Sequence, residues 1–318
     1  LLHGDDETAG IFTSGGTESI FLGVLAMREW ARHERPGITR PEIVAPHSAH
    51  PALNKAAHLQ GLTVKRVPVG SDFRADPAAL EAAITQNTIG MYASAPTYSL
   101  GMVDPIDALG PIAERHGLWL HVDACVGGIL SPFVRECGYQ VPPFDFSIPG
   151  VTSISADLHK SGFAAKPAST VSFRTRALRE FARYTFDDWP SGVYSSLTFT
   201  GTRPGGAIAA SWAAMNFLGQ EGYREIAAAS MRAKQKTIDG LTAIEGVKVH
   251  GEPPVYAFSW AAAGVDMSAV AAAMNKRGFM CGQTTSPAGI HFMATPVHEA
   301  AAGEYAAAAA ESIARART

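Results

Sequence analysis

The 318-residue chain predicts an α/β fold, a large domain with a mostly parallel sheet followed by a smaller C-terminal α/β domain. Three observations predict it. Segments with helical periodicity alternate with short apolar runs of strand length, as in a sheet whose parallel strands are joined by helices. A glycine-rich turn, Thr13-Ser14-Gly15-Gly16-Thr17-Glu18-Ser19, opens a helix near the start. From about Gly219 a second, smaller set of strands and helices begins, so residues 1–218 and 219–318 are the expected domains.

The elements follow in order. Residues 19–34 carry helical periodicity, and 42–45 form a short strand before a helix near 51–60. Residues 63–69 read as a strand. Asp76-Pro77 is a helix start signal for 76–85. Residues 89–93 are a strand, and 107–116 a helix ended near Gly117. Strands at 118–122, 153–155 and 170–173 complete the large sheet. A long helical connection begins at 205–218. The smaller domain has strands at 247–249, 255–260 and 290–293 and closes on an alanine-rich helix at 299–317.

Composition narrows the function. The net charge is −3 with no basic block, so nucleic-acid binding has no electrostatic support. Cys125, Cys137 and Cys281 are odd in number and widely spaced, which points to a reducing compartment without a disulfide framework. No signal peptide or bilayer-length apolar run is present.

Two stretches carry the chemistry. Leu118-Trp119-Leu120-His121-Val122 is a buried strand with Asp123 at its carboxyl end, where open α/β sheets place their ligands. Downstream, Ser153-Ile154-Ser155-Ala156-Asp157-Leu158-His159-Lys160 sets a lysine after a small, polar run. Such a pair suits pyridoxal phosphate (PLP): the lysine forms a Schiff base with the aldehyde, and the carboxylate keeps the pyridine nitrogen protonated. Taken singly, Asp123 could cap a turn and Lys160 could be a surface lysine. Gly15-Gly16-Thr17 offers backbone N–H groups and hydroxyls to a phosphate at a helix start. It also reads as an ordinary helix cap, and it is neither a P-loop nor a dinucleotide fingerprint. His50 could be a partly buried histidine at a helix start, or pair with His47 as a metal site. No further ligand cluster completes that site, so no metal is expected. Beside Asp123, Cys125 reads as a small buried thiol.

With these blocks in view the chain resembles fold-type I PLP enzymes of the group II decarboxylase superfamily, and within them the sphingosine-1-phosphate lyases. The resemblance rests on residues 13–19, Pro41-Glu42-Ile43-Val44-Ala45-Pro46-His47-Ser48-Ala49-His50, residues 121–128, residues 150–160, and Gly201-Thr202-Arg203-Pro204-Gly205-Gly206. It implies that Lys160 bonds the cofactor, Asp123 pairs with the pyridine nitrogen, and His50 stacks on the ring. It also implies that Gly16, Thr17 and His159 bind the phosphate, joined by Thr202 from the other subunit of a homodimer with shared active sites. Tyr98 and Lys166 match residues placed near the substrate. Ser161 departs from the tyrosine that often follows the cofactor lysine, and Ala165 and Pro167 depart around Lys166. The family has a substantial segment before this point, so the resemblance implies that the N-terminal part is missing here.

The implied reaction is retro-aldol cleavage of sphingosine 1-phosphate, or a related phosphorylated long-chain amino alcohol, to a fatty aldehyde and phosphoethanolamine. Lys160, Lys166, Tyr98 and His50 are the candidates for moving protons. The alternative is a PLP-dependent amino-acid decarboxylase, with Arg203 available for a substrate carboxylate. A catalytically silent PLP-binding protein is the third reading, against which the intact lysine, aspartate and phosphate loop stand. The expected setting is a bacterial cytoplasm.

Overall fold

A computed structural model describes residues 1–317, which divide into two compact units. The first contains Leu1–Ala95, Val103–Pro132 and Pro142–Gly219; the second contains Pro96–Met102, Phe133–Val141 and the chain from Gln220 onward. The division is therefore not linear in sequence.

In chain order the elements begin with β1 (Ala9–Thr13), α1 (Gly16–Glu34), β2 (Glu42–Pro46), α2 (Ala52–Gln60), β3 (Thr63–Val67), α3 (Pro77–Ala82) and β4 (Thr88–Ser94). Next come α4 (Ile106–His116), β5 (Trp119–Asp123), α5 (Ser131–Glu136), β6 (Val151–Ala156), β7 (Ser169–Phe173) and α6 (Arg176–Glu180). The short strands β8 (Tyr184–Phe186) and β9 (Tyr194–Ser196) precede the long α7 (Gly205–Thr242). The rest is β10 (Val247–Val249), β11 (Ala257–Ala262), α8 (Met267–Asn275), β12 (Gly282–Thr285), β13 (Ala288–Met293) and α9 (His298–Ala316).

The first unit holds a seven-stranded sheet in the order β1-β7-β6-β5-β4-β2-β3. Strands β3, β2, β4, β5 and β6 run parallel. At the other edge β7 is antiparallel to β6, and β1 to β7. The expected large-domain strands all form, with one shortened: β3 stops at Val67, and Val69 makes only an isolated bridge to Ala75. Every residue of β4 and β5 is buried, which explains why both read as continuous apolar runs rather than alternating ones. Asp76 caps α3 as its Asp-Pro signal predicts, accepting from the N–H groups of Ala78 and Ala79.

Helix α1 lays Ile20, Leu22, Val24 and Met27 into the core. Gly23 allows it to come close to β5, because a Cβ there would lie 2.8 Å from the His121 ring. Trp119 is fully buried and donates from Nε1 to Ser153 Oγ at 2.8 Å, tying β5 to β6 just below the strand ends. In the second unit β10-β11-β13-β12 form an antiparallel sheet. The buried Trp260 of β11 donates to the Tyr305 hydroxyl at 3.1 Å, pinning α9 to that sheet. The helical connection predicted for 205–218 runs on to Thr242, with one non-helical residue at Gly219. Among the described residues no helix is long and apolar enough to cross a membrane.

Candidate active site

In the first unit the carboxyl ends of β4, β5 and β6 meet the amino end of α1. Asp123 ends β5 and is buried. Its Oδ2 accepts from the Tyr92 hydroxyl at 2.6 Å, and its Oδ1 accepts from Cys125 N at 3.0 Å and Ser155 Oγ at 3.3 Å. Burial alone pushes this carboxyl up, but the hydrogen bonds from Tyr92 and Cys125 outweigh it and hold Asp123 below the usual carboxylate value. Asp123 is thus a buried anion in search of a cation. Burial and the Asp123 charge both raise Tyr92, so the phenol stays protonated and keeps donating. Burial, Asp123 and Asp157 raise Cys125 well above its ordinary value, so it remains a thiol and not a nucleophile. One layer below, burial lowers His121 to about 4, and its neutral ring meets Ser153 Oγ through Nδ1 at 2.7 Å.

Lys160 follows β6 in a tight turn. Its Nζ lies 2.8 Å from Asp157 Oδ2 as an ion pair. Burial pulls the amine down, and the charge of Asp157 more than offsets it, leaving Lys160 above its ordinary value. Asp157 stands in the stretch that announced Lys160, yet nothing in the sequence separates it from a turn residue. The next residue, Ser161, is buried and donates to Val126 O at 2.9 Å, so its departure from tyrosine is absorbed by a backbone contact.

The amino end of α1 faces this group. Gly15 is the N-cap and supplies no side-chain acceptor, so the first N–H groups of a 19-residue helix are left for another partner. A Cβ on Gly16 would sit 2.7 Å from Cys125 Sγ and 2.9 Å from the Asp157 carboxylate. Only glycine lets the helix start come this close. Glu18 reaches back to Ser14, just before the N-cap, accepting from Ser14 N at 2.7 Å and Ser14 Oγ at 2.6 Å. His159 accepts the Ala168 N–H at Nδ1, 3.0 Å away. Burial lowers its pKa, and the Lys160 and Lys166 charges add to this against Asp157, so the ring is neutral with its proton on Nε2. A donor at Nε2 and free helix N–H groups form the donor set of a phosphate site.

His50 sits between β2 and α2. Its Nδ1 accepts from Ala52 N at 3.2 Å. Burial lowers its pKa, partly offset by Asp123, which places a neutral ring within the field of Asp123, Lys160 and Asp157. The segment leading to it is held by Arg66 on β3, whose guanidinium donates to His47 O at 2.8 Å and Ala49 O at 2.7 Å. That arginine was not visible as a site residue, because it acts through backbone carbonyls of a loop 17 to 19 positions earlier.

The remaining expected residues are placed differently. Lys166 is exposed, close enough to His159 for its charge to be felt. Thr17 is exposed in the first turn of α1, and Thr202 in the loop before α7. Tyr98 belongs to the second unit, where its ring lies 4.6 Å from that of His291.

Taken together, an ionised Asp123, an amine at Lys160 and a helix start with a neutral histidine donor fit PLP. They match its pyridinium, aldehyde and phosphate in kind. Comparison with known proteins agrees. Residues 2–257 match the family model described as the pyridoxal-dependent decarboxylase conserved domain. A sphingosine-1-phosphate lyase of Arabidopsis thaliana is 41% identical over 303 residues, covering 93% of this chain and 56% of that protein. The sphingosine-1-phosphate lyase 1 of Mus musculus is 38% identical, covering 94% and 52%. The chain thus spans about half the length of these curated relatives. A solved sphingosine-1-phosphate lyase structure from Burkholderia pseudomallei superposes with a TM-score of 0.94 at 38% identity, covering 99% of this chain and 72% of that one. The chain therefore carries a PLP-binding domain of fold type I, and it belongs to the sphingosine-1-phosphate lyase family within the pyridoxal-dependent decarboxylases.

Proposed function

We propose that the protein is a carbon–carbon lyase that cleaves a phosphorylated long-chain amino alcohol, sphingosine 1-phosphate or a close analogue, to a fatty aldehyde and phosphoethanolamine. The observation that carries this reading is the Asp123–Lys160 site on a chain about 40% identical to lyases of that name. When bound, PLP supplies an electron sink for the breaking bond.

The chain's own residues do the rest. Lys160 holds the cofactor. Asp123, kept ionised by Tyr92 and Cys125, pairs with the pyridine nitrogen and keeps its proton in place. Gly16 and Thr17 offer backbone N–H groups to the phosphate, and His159 adds its Nε2 proton. His50 accepts a backbone N–H at Nδ1, so its own proton is on Nε2, and it donates there rather than acting as a base. That leaves the amine of Lys160, once deprotonated, to accept the substrate hydroxyl proton. Lys166 suits a phosphate-bearing substrate because an ammonium is a strong point charge for phosphate.

The test is a product assay on the full natural protein, offered sphingosine 1-phosphate and a panel of amino acids. Fatty aldehyde should appear from the former, and Lys166→Ala should lower turnover about a hundredfold, the scale of one lost charge contact in a reaction. Carbon dioxide from an amino acid with no aldehyde would replace the lyase reading with that of a decarboxylase.

The working form is a cytoplasmic homodimer with shared sites, Thr202 reaching the partner's cofactor phosphate. Support comes from large aromatic residues exposed in the first unit, Trp189, Phe199, Trp212 and Phe217, the last at 89%. Aromatic residues are enriched at interfaces relative to the rest of a protein surface. Light scattering should give twice the chain mass, and a monomer at micromolar concentration would remove the shared-site reading.

A further inference from the structure

A line of buried hydroxyls runs from the glycine-rich turn to the cofactor lysine, and no role above uses it. Thr13 Oγ1 lies 2.6 Å from Ser19 Oγ, and Ser19 Oγ lies 2.8 Å from Ser169 Oγ. Ser169 Oγ donates to Asp157 Oδ1 at 2.5 Å, and Asp157 Oδ2 meets Lys160 Nζ. Thr13, Ser19, Ser169 and Asp157 are each no more than 1% exposed. A carboxylate only accepts, so its end of the chain fixes the direction: Ser169 must donate to it. Ser19 is then the natural donor to Ser169, and Thr13 to Ser19. Three elements supply these groups, β1, α1 and β7, and a network with every member paired has a single arrangement.

We propose that Asp157 is the positioning residue for Lys160: clamped by the Thr13–Ser19–Ser169 hydroxyl chain, its carboxylate holds the lysine as an ammonium, docked beside Gly16, whenever that nitrogen is not bonded to the cofactor. The groups facing Lys160 are consistent with this. Asp157 is in contact, Asp123 acts from farther away, and burial opposes them. On Asp157 the flanking groups are Ser169, Lys160 and His159, whose Nε2 is 3.7 Å off. His159 is neutral, so Lys160 is the cation paired there. Attachment then has a proton cost. The ammonium releases one proton to solvent, the nitrogen lone pair bonds the aldehyde carbon, and the aldehyde oxygen leaves as water with the two remaining amine hydrogens. Asp157 thus sets how readily the lysine attaches and how firmly it is parked after a substrate amine has displaced it. The inference rests on the cofactor and not on which substrate bond breaks, so its test uses no lyase substrate.

The experiment compares wild type with Asp157→Asn, which keeps an acceptor for Ser169 while removing the charge. Apo-protein is prepared, its fold is checked by circular dichroism, and the rate of covalent PLP attachment is followed by visible absorbance across pH. Lys160 labelling by an amine reagent is read in parallel by mass spectrometry. In the variant, the pH midpoint of both attachment and labelling should fall by one unit or more, and Asp157→Glu should restore part of the shift. Midpoints identical to wild type in a folded variant would overturn the proposal. Should Asp157→Asn fail to fold, Ser169→Ala loosens the clamp without touching the charge. It should lower the same midpoint by a smaller amount, and an unmoved midpoint there would overturn the proposal equally.

Discussion

Lys160→Ala should abolish both the visible absorbance of the bound cofactor and the activity, the latter by on the order of 10⁴-fold or more, the scale of deleting a covalent catalyst. The expectation follows from the placement of the amine. Lys160 Nζ is paired with the buried Asp157 beside the start of α1, and its charge is felt by His50 together with that of Asp123. Borohydride reduction of the wild type, followed by peptide mass spectrometry, should find the cofactor on Lys160 alone. An adduct on Lys166, or none, would remove Lys160 from its role. Losing Lys160 also leaves the buried Asp157 carboxylate without its cation, so a thermal melt is needed to separate lost chemistry from lost stability.

The second large effect is expected at Asp123. Asp123→Asn keeps the size of the side chain but loses the charge proposed to keep the pyridine nitrogen protonated. Turnover should fall about 10²–10⁴-fold, the range seen when a group that acts in the reaction loses its charge or correct protonation. Substrate binding should change little, so the loss belongs in kcat rather than KM. Steady-state kinetics on a variant shown to retain cofactor checks this. A raised KM with unchanged kcat would make Asp123 a binding residue only. The neighbours sharpen the expectation: Tyr92 already donates to Oδ2, and Cys125 N–H and Ser155 Oγ to Oδ1. An asparagine with its NH₂ toward Tyr92 keeps the Cys125 and Ser155 bonds at Oδ1 and requires the phenol to accept rather than donate, so the charge is the main loss.

These two residues were legible in the sequence because each ends a signal that local chemistry writes clearly. Asp123 breaks a five-residue apolar run, and Lys160 closes a small polar one. The same is true of Gly16, a glycine at a helix start. The partners were not legible. Tyr92 sits in a strand buried along its whole length, where an aromatic reads as core whether or not its hydroxyl is used. Ser19 and Ser169 are hydroxyls inside a helix and a strand, 150 positions apart. Nothing local distinguishes them from solvent-facing serines. Asp157 was in plain view, but its role depends on Ser169 and Lys160 meeting it in space. The parallel strands β2 to β6 followed from the alternation of elements. The antiparallel edge did not, because β1 is five residues long and merges into the glycine-rich turn.

That edge has a consequence for how the protein comes into being. Strand β1 stands at the end of its sheet, and its one neighbour there is β7, with Thr13 opposite Ser169. Pairings this remote in sequence close large loops and form late in folding. The full register of β1 with β7 therefore requires residue 173 to have left the ribosome. The glycine-rich turn and the cofactor lysine become neighbours only then. A chain that holds the cofactor through both the glycine-rich turn and Lys160 is consequently one in which β1 has already met β7, so the prosthetic group would report that closure.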